Sequence, residues 1–276
     1  MTVLVTGSTG TVGRHVVEHL VRGGHHVRAL TRDPGHASFP AGVEVVQGNL
    51  ADPPSIATAL DGVTGLHLIT FDTGGPYGPA NLETGPQLLD LATKAGVQRV
   101  TVLRGGQTSP VQEAIQASGL DWTVIGPVEF MSGTLQWAES VRTEGVVREP
   151  FGDRLSATVH ESDIGAVTAT CLVEKGHAGK VYTLTGPEAL TTRQKVSILA
   201  RVVERSIEFV ELTEEQAKER WRAQGMPDAL VDFLMSAYGN TPPEGYTVVP
   251  TVEEITGRPA RTFAEWAAEN RAAFTA

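Results

Sequence analysis

The sequence predicts an α/β fold: a doubly wound, mostly parallel sheet carrying a smaller, mainly helical C-terminal lobe. Three observations lead there. A glycine-rich turn, Thr6 to Gly13, follows the apolar run Val3-Leu4-Val5 and precedes a segment with helical periodicity. Apolar runs then alternate with helical stretches through the first half of the chain. From about residue 187 onward the pattern becomes almost wholly helical.

The elements follow in order. Val12, Val16, Val17, Leu20 and Val21 share one face of the first helix. A second strand spans His26–Thr31 and ends at Arg32-Asp33-Pro34, a turn signal. A third spans Val43–Gln47, with a helix expected from about Pro54 to Leu60. Gly65–Phe71 is a buried strand, and the helix after it ends near Ala95-Gly96, where glycine suits a C-cap. Arg99–Leu103 and Asp121–Ile125 complete the first series. Residues 163–185 return a helix and a strand to the sheet. Helices are expected over Thr191–Val203, Thr213–Ala223, Pro227–Tyr238 and Thr262–Ala273. The nucleotide half is therefore residues 1–128 with 163–185, and the second lobe is 129–162 with 186–276.

Strand, glycine-rich turn and helix together hold a dinucleotide pyrophosphate. The glycines let the backbone turn tightly and approach the phosphates. The free N–H groups and the positive end of the helix dipole then face the negative charge. Gly7, Ser8, Thr9, Gly10, Thr11, Val12 and Gly13 form that cradle. The second strand should carry an acidic residue for the ribose of NAD. Arg32 stands there instead, and a guanidinium binds the 2′-phosphate of NADP. Asp33, one residue later, is the competing NAD acid, and Arg14 is a second phosphate partner or a solvated charge. Ligands of such sheets lie at the carboxyl ends of the strands. The loop after the fourth strand, with Thr70 and Phe71, should therefore line the site.

Composition narrows the function. The 276 residues carry a net charge of −10 with no basic run, which argues against sequence-independent nucleic-acid binding. No apolar run approaches the roughly 18 residues of a membrane span. Nothing resembles a signal peptide, so a cytoplasmic location is expected. Cys171 is the sole cysteine, expected as a buried packing residue, and no histidine spacing marks a metal site.

The Gly-x-x-Gly-x-x-Gly spacing resembles the Rossmann fold of atypical short-chain dehydrogenases/reductases. Gly48-Asn49-Leu50-Ala51-Asp52-Pro53 is similar to a Gly-Asp-Leu-x-Asp-Pro element of the NmrA-like family. The run Ser118 to Met131 resembles that family's Ser-Gly-Leu-x-Tyr/Trp-Thr-x-Leu-Arg-Pro-x-x-Phe-Met, with Gly126 in place of the arginine. Thr185-Gly186-Pro187-Glu188-Ala189-Leu190-Thr191 is similar to its strand-to-helix entry. The resemblance implies NADPH as cofactor, with Asn49 and Leu50 beside the adenine and Pro127 and Phe130 also at the cofactor.

The superfamily's usual chemistry uses a Tyr-x-x-x-Lys pair. The four tyrosines here, Tyr77, Tyr182, Tyr238 and Tyr246, are followed four residues on by Asn81, Gly186, Pro242 and Pro250. Gly105-Gly106 stands where the resemblance implies the triad serine. A cofactor site without the standard proton donor is therefore expected. The favoured reading is an NADPH-dependent ketoreductase or quinone reductase acting on a small aromatic, polycyclic or otherwise conjugated acceptor. The alternatives are a non-catalytic NADP-binding redox sensor working through a protein partner, and a lyase or isomerase. Candidate catalytic groups are Tyr77, Gln107, Thr108, Ser109 and Glu129, with a structural role favoured for Glu129 and His160. Met131, Trp137, Phe151, Phe233 and Met235 lie in segments expected to cover the site. Leu230, Phe233, Leu234, Ala237 and Tyr238 form one apolar stripe, with Leu230 and Leu234 expected in the lobe's core.

Overall fold

In a computed structural model of the chain, residues 1–72, 80–105 and 109–275 are described. They fall into two units. The first comprises Met1–Pro127, Glu161–Leu184 and Thr251–Arg258; the second comprises Val128–His160, Thr185–Pro250 and Pro259–Ala276.

The first unit is built on a seven-stranded sheet. Its strands are β1 (Thr2–Val5), β2 (His26–Thr31), β3 (Glu44–Gln47), β4 (Gly65–Ile69), β5 (Arg99–Leu103), β6 (Asp121–Pro127) and β7 (Lys180–Leu184). Every neighbouring pair is parallel, in the order β7-β6-β5-β4-β1-β2-β3. The order reverses between β1 and β4, and that switch point opens a crevice at the carboxyl ends. Helix α1 (Gly13–Arg22) packs with α5 (Glu161–Val173), and α2 (Gly85–Lys94) packs with α3 (Pro110–Ala117). The first pairing is close, since a Cβ on Gly165 would stand 2.6 Å from the His15 Cβ. The central strands β1, β4 and β5 are buried on both faces, whereas the edge strand β3 is largely exposed. Leu4, Leu66, Leu68, Val100, Val102 and Val124 join Leu88, Leu89, Ala92 and Ile115 in one core cluster.

Three sequence expectations change here. The helix expected from Pro54 to Leu60 is two 3₁₀ turns, Pro53–Ile56 and Thr58–Leu60. Pro53 and Pro54 occupy the first two positions of the first of these turns. Helix α5 begins at Glu161, ahead of the expected caps. Ser162 lies in its first turn, where its hydroxyl and carbonyl meet His19 Nε2 at 3.2 and 3.1 Å. The segment Thr251–Arg258 belongs to the first unit through α9 (Thr251–Thr256), which packs on α5 and β7. Cys171 is buried, and burial pushes its thiol up to about 12.

The second unit holds α4 (Ala138–Glu144), α6 (Thr192–Val203), α7 (Glu214–Ala223), α8 (Asp228–Gly239), α10 (Phe263–Glu269) and α11 (Arg271–Phe274). Helices α6, α7 and α10 each open with a capping box, Thr191/Gln194, Thr213/Gln216 and Thr262/Glu265. Their N-termini are thus set by sequence-local chemistry. Val196, Leu199, Val203, Phe263, Trp266 and Phe274 form the main core, with Phe263 stacked on Trp266 at 5.6 Å. A smaller cluster joins Ala217 and Trp221 of α7 to Val231 and Met235 of α8. Leu234 and Tyr238 pack against this cluster as expected, but its fully buried α8 members are Val231 and Met235. Leu230 and Phe233 are exposed, because Trp221 packs on the face that carries Val231 and Met235. No helix among the described residues is long and apolar enough to cross a membrane.

Candidate functional site

The glycine-rich turn is built from backbone demands. Gly7 has φ +58°, a left-handed conformation that favours glycine. Gly10 N donates to Gly7 O at 2.9 Å, closing the turn. A Cβ on Gly13 would lie 2.1 Å from Gly7 O, so only glycine lets α1 start this close to the loop. Ser8 is fully buried and donates to Leu30 O at 2.7 Å, tying the loop to β2. The N-cap of α1, Val12, supplies no side-chain acceptor to the first-turn N–H groups. Arg14 N and His15 N already donate to Gly10 O and Val12 O, so it is the Gly13 N–H and the helix dipole that suit a phosphate. Arg14 is exposed.

Beside this turn lies a cavity of about 280 Å³ at the carboxyl ends of β1 to β4. Gly7, Thr9, Arg32, Asn49, Leu50 and Phe71 are among its lining. The two candidates for the ribose differ in their commitments. The Asp33 carboxylate accepts from Gly35 N at 3.2 Å and pairs with His36 Nδ1 at 2.6 Å, capping the 3₁₀ turn Pro34–His36. Arg32 lines the cavity and is exposed. His36 lines it as well, a cation-capable group that the sequence reading missed. Its only sequence signal is the three-residue spacing after Asp33. Asn49 Oδ1 accepts from Ala51 N at 3.1 Å, which leaves the amide N–H₂ to meet a base. These residues fit a dinucleotide with a 2′-phosphate.

A match to the NmrA-like family covers residues 1–102. The (4-alkanoyl-5-oxo-2,5-dihydrofuran-3-yl)methyl phosphate reductase of Streptomyces griseus subsp. griseus is 37% identical over 99% of each chain. The chain belongs to the NmrA-like family. The NAD(P)H azoreductase of Xenophilus azovorans is 34% identical, again over 99% of each chain. The crystal structure of the NADPH-dependent quinone oxidoreductase QOR2 of Escherichia coli complexed with NADPH superposes with a TM-score of 0.80. It is 25% identical over 98% of this chain and 99% of that one.

This NmrA-like chain rearranges the carboxyl end of β5. The guanidinium of Arg104 lies over Gly126, where a Cβ would meet its atoms at 2.8 to 3.2 Å. Leu103 pairs with Ile125, so the two positions are neighbours across the parallel strands. Arg104 thus places a guanidinium beside position 126, a neighbourhood visible only from the register. Thr70 is 2% exposed, donates to Leu103 O at 3.0 Å and accepts from Gly105 N at 3.3 Å. Its role there is to brace the strand end. Ser109 is the N-cap of α3 and accepts from Gln112 N at 3.3 Å. Tyr77, Gln107 and Thr108 lie outside the described residues. Val12 is buried in the first unit, while Thr11 and Pro127 are partly exposed there.

The second unit has its own polar cavity, lined by Glu129, Phe130, Trp137, Glu149, Arg154, Lys195 and Tyr238 among others. Arg154 Nη2 donates to both Glu129 oxygens, at 3.0 and 2.9 Å, and its guanidinium covers the Tyr238 ring at 4.2 Å. Burial and the nearby Glu129 push the Tyr238 phenol up to about 12. Glu149 accepts from Trp137 Nε1 at 2.9 Å, and burial raises its carboxyl above the ordinary range despite that bond. Met131, Trp137 and Met235 are buried within this unit, whereas Phe233 is 49% exposed. His160 is bonded to Glu269 at 3.1 Å. Of the other described tyrosines, Tyr182, in β7, meets His177 Nδ1 at 3.0 Å, and Tyr246 follows a 3₁₀ turn. Among the described residues no cluster of side chains could hold a metal ion.

Proposed function

We infer that this chain is an NADPH-dependent oxidoreductase acting on a conjugated acceptor, such as a quinone, an aromatic or polycyclic ketone, or an azo compound. The observation that carries the reading is the division of labour at the end of β2. Arg32 and Asp33 both line the cavity, but the Asp33 carboxylate is already engaged by Gly35 N and His36 Nδ1. That arrangement favours a cofactor with a 2′-phosphate.

The activities for which these relatives are named share one chemical feature. A dihydrofuranone bearing an acyl group, an azo bond and a quinone all accept hydride into a π-system that spreads the charge formed. Such acceptors need no tyrosine to protonate a localised alkoxide, which agrees with the absent Tyr-x-x-x-Lys pair. NADPH, when bound, supplies the hydride. The chain's own residues do the rest. The turn Gly7–Gly13 and Arg32 anchor the phosphates, and Asn49 meets the base. Arg104, at the carboxyl end of β5, offers a guanidinium to the negative charge that develops on the acceptor.

The test follows the loss of reduced-nicotinamide absorbance against quinones, azo compounds, polycyclic ketones and aliphatic ketones. Turnover of the conjugated members and none of the aliphatic ketones is expected. NADPH binding with no turnover on any member would overturn the reading.

A further inference from the structure

Lys195 lies in the first turns of α6, and the capping box at Thr191 fixes where it emerges. It is 5% exposed. Its ammonium has three N–H donors. One meets Ser156 Oγ at 2.5 Å. Among the described residues Lys195 forms no ion pair, although buried charges are normally paired.

The other charged groups around the cavity are already matched. Glu129 is held by Arg154, and Glu149 has Trp137 and, at 4.0 Å, Arg220. Lys195 is the cation of this lining that makes no salt bridge among the described residues, and it has two N–H groups beyond its serine bond. The cavity beside it offers about 30 Å³. A volume of that order takes a water or one carboxylate head, but no ring.

We propose that Lys195 and this cavity form an anion-recognition subsite, which takes a carboxylate carried by the ligand of the second unit. The inference rests on the reductase reading only for which molecule carries that group. Burial pulls the ammonium down to about 8, opposed by Glu129 and assisted by Arg154. Tyr238, pushed up to about 12, adds no charge near neutrality. The Lys195 ammonium is therefore charged at pH 7 and loses its charge as pH rises through about 8.

Benzoate and its neutral isostere benzamide are the probes, titrated by calorimetry into the full chain with and without NADPH. The native protein is expected to prefer benzoate by about tenfold or more at pH 6.5. Benzoate affinity should fall about tenfold between pH 7 and pH 9 as the ammonium deprotonates. In Lys195→Met the preference should shrink to within about twofold. Lys195→Gln repeats the comparison if the first variant fails to fold, and the native pH profile needs no variant. Equal binding of the two probes, a flat pH profile, or an unchanged preference in both variants would overturn the subsite. Quinone turnover without benzoate preference would remove the subsite alone. Benzoate preference without turnover of any acceptor would remove the reductase reading alone.

Discussion

The first unit lines its cavity beside a backbone turn, and the second lines its own with charged side chains. In the first, the turn Gly7–Gly13 is shaped by a positive φ and by a contact that a single methyl would block. The charge it offers is mostly that of oriented N–H groups, with Arg32 added at the rim. In the second, Glu129, Glu149, Arg154 and Lys195 bring full charges into one small cavity. Backbone dipoles are desolvated cheaply and cannot titrate. Buried side-chain charges cost stability unless matched, and they respond to pH. The first design suits a cofactor of fixed chemistry; the second suits a ligand that varies among relatives.

The largest effect is expected where the backbone contact is tightest. Gly13→Ala places a methyl against Gly7 O, and overpacking of this kind costs about 1–3 kcal/mol before any loss of phosphate donors. NADPH affinity should drop by about a hundredfold or more, read by calorimetry. Affinity within threefold of native would break the comparison at its root. Arg32→Ala comes next. It should cost about 1.5–3 kcal/mol of NADPH binding and leave NADH binding unchanged. Equal losses for both cofactors would show that Arg32 does not read the 2′-phosphate.

Two predictions concern buried bases, one in each unit. His67 is fully buried on β4, bonded to Thr101 Oγ1 at 3.0 Å, with Nε2 unpartnered among the described residues. Burial lowers its pKa from 6.5 to about 4. The unfolded chain therefore binds a proton that the folded one refuses between those values. Stability is full above pH 6.5 and declines as pH falls toward 4, by about 2–3 kcal/mol. His67→Gln should flatten that decline in denaturant melts across this range; an equal decline in the variant would assign it elsewhere. Lys195→Met should raise stability at pH 7 by about 1–2 kcal/mol, after the lost Ser156 bond is subtracted. The lysine's cost is fully present below pH 8, shrinks as the folded ammonium deprotonates, and is gone above about 10.5. Thermal melts at pH 7 and 10.5 that differ from native by the same amount would contradict this. Asp33→Asn is expected to do least, shifting the NADPH-to-NADH preference by less than about threefold, because the carboxylate serves its own turn. A larger swing would reopen Asp33 as a ribose ligand.

The same contrast explains what could be read in advance. Gly7, Gly10 and Gly13 are neighbours in the chain, and their constraint is local, so the strand-turn-helix stands out in the sequence. The alternation of apolar runs gave the parallel sheet for a similar reason. The helices with capping boxes at Thr191, Thr213 and Thr262 were also placed to within a residue or two at their starts. Glu129, Glu149, Arg154, Lys195 and Tyr238 are scattered over more than a hundred positions and meet only after folding. Glu129 could be picked out by its place after a strand, but its partner Arg154 could not. Lys195 reads as an ordinary helical lysine, since nothing nearby in the sequence marks it as buried. The exposure of Leu230 and Phe233 on α8 was not legible, because Trp221, on another helix, decides which face is covered.

The pairing of Arg104 with Gly126 has a consequence for how such a site changes over time. Two neighbouring strands share room for one guanidinium, and here β5 supplies it. Introducing arginine at position 126 alone would force two cations into that space. Removing Arg104 alone would leave it without either. Neither single step preserves the charge, so the two positions are bound to change together, and the order of their changes has to pass through a chain with none or with two. The residue that looks most dispensable, a glycine, is thus the one that keeps the arginine beside it in place.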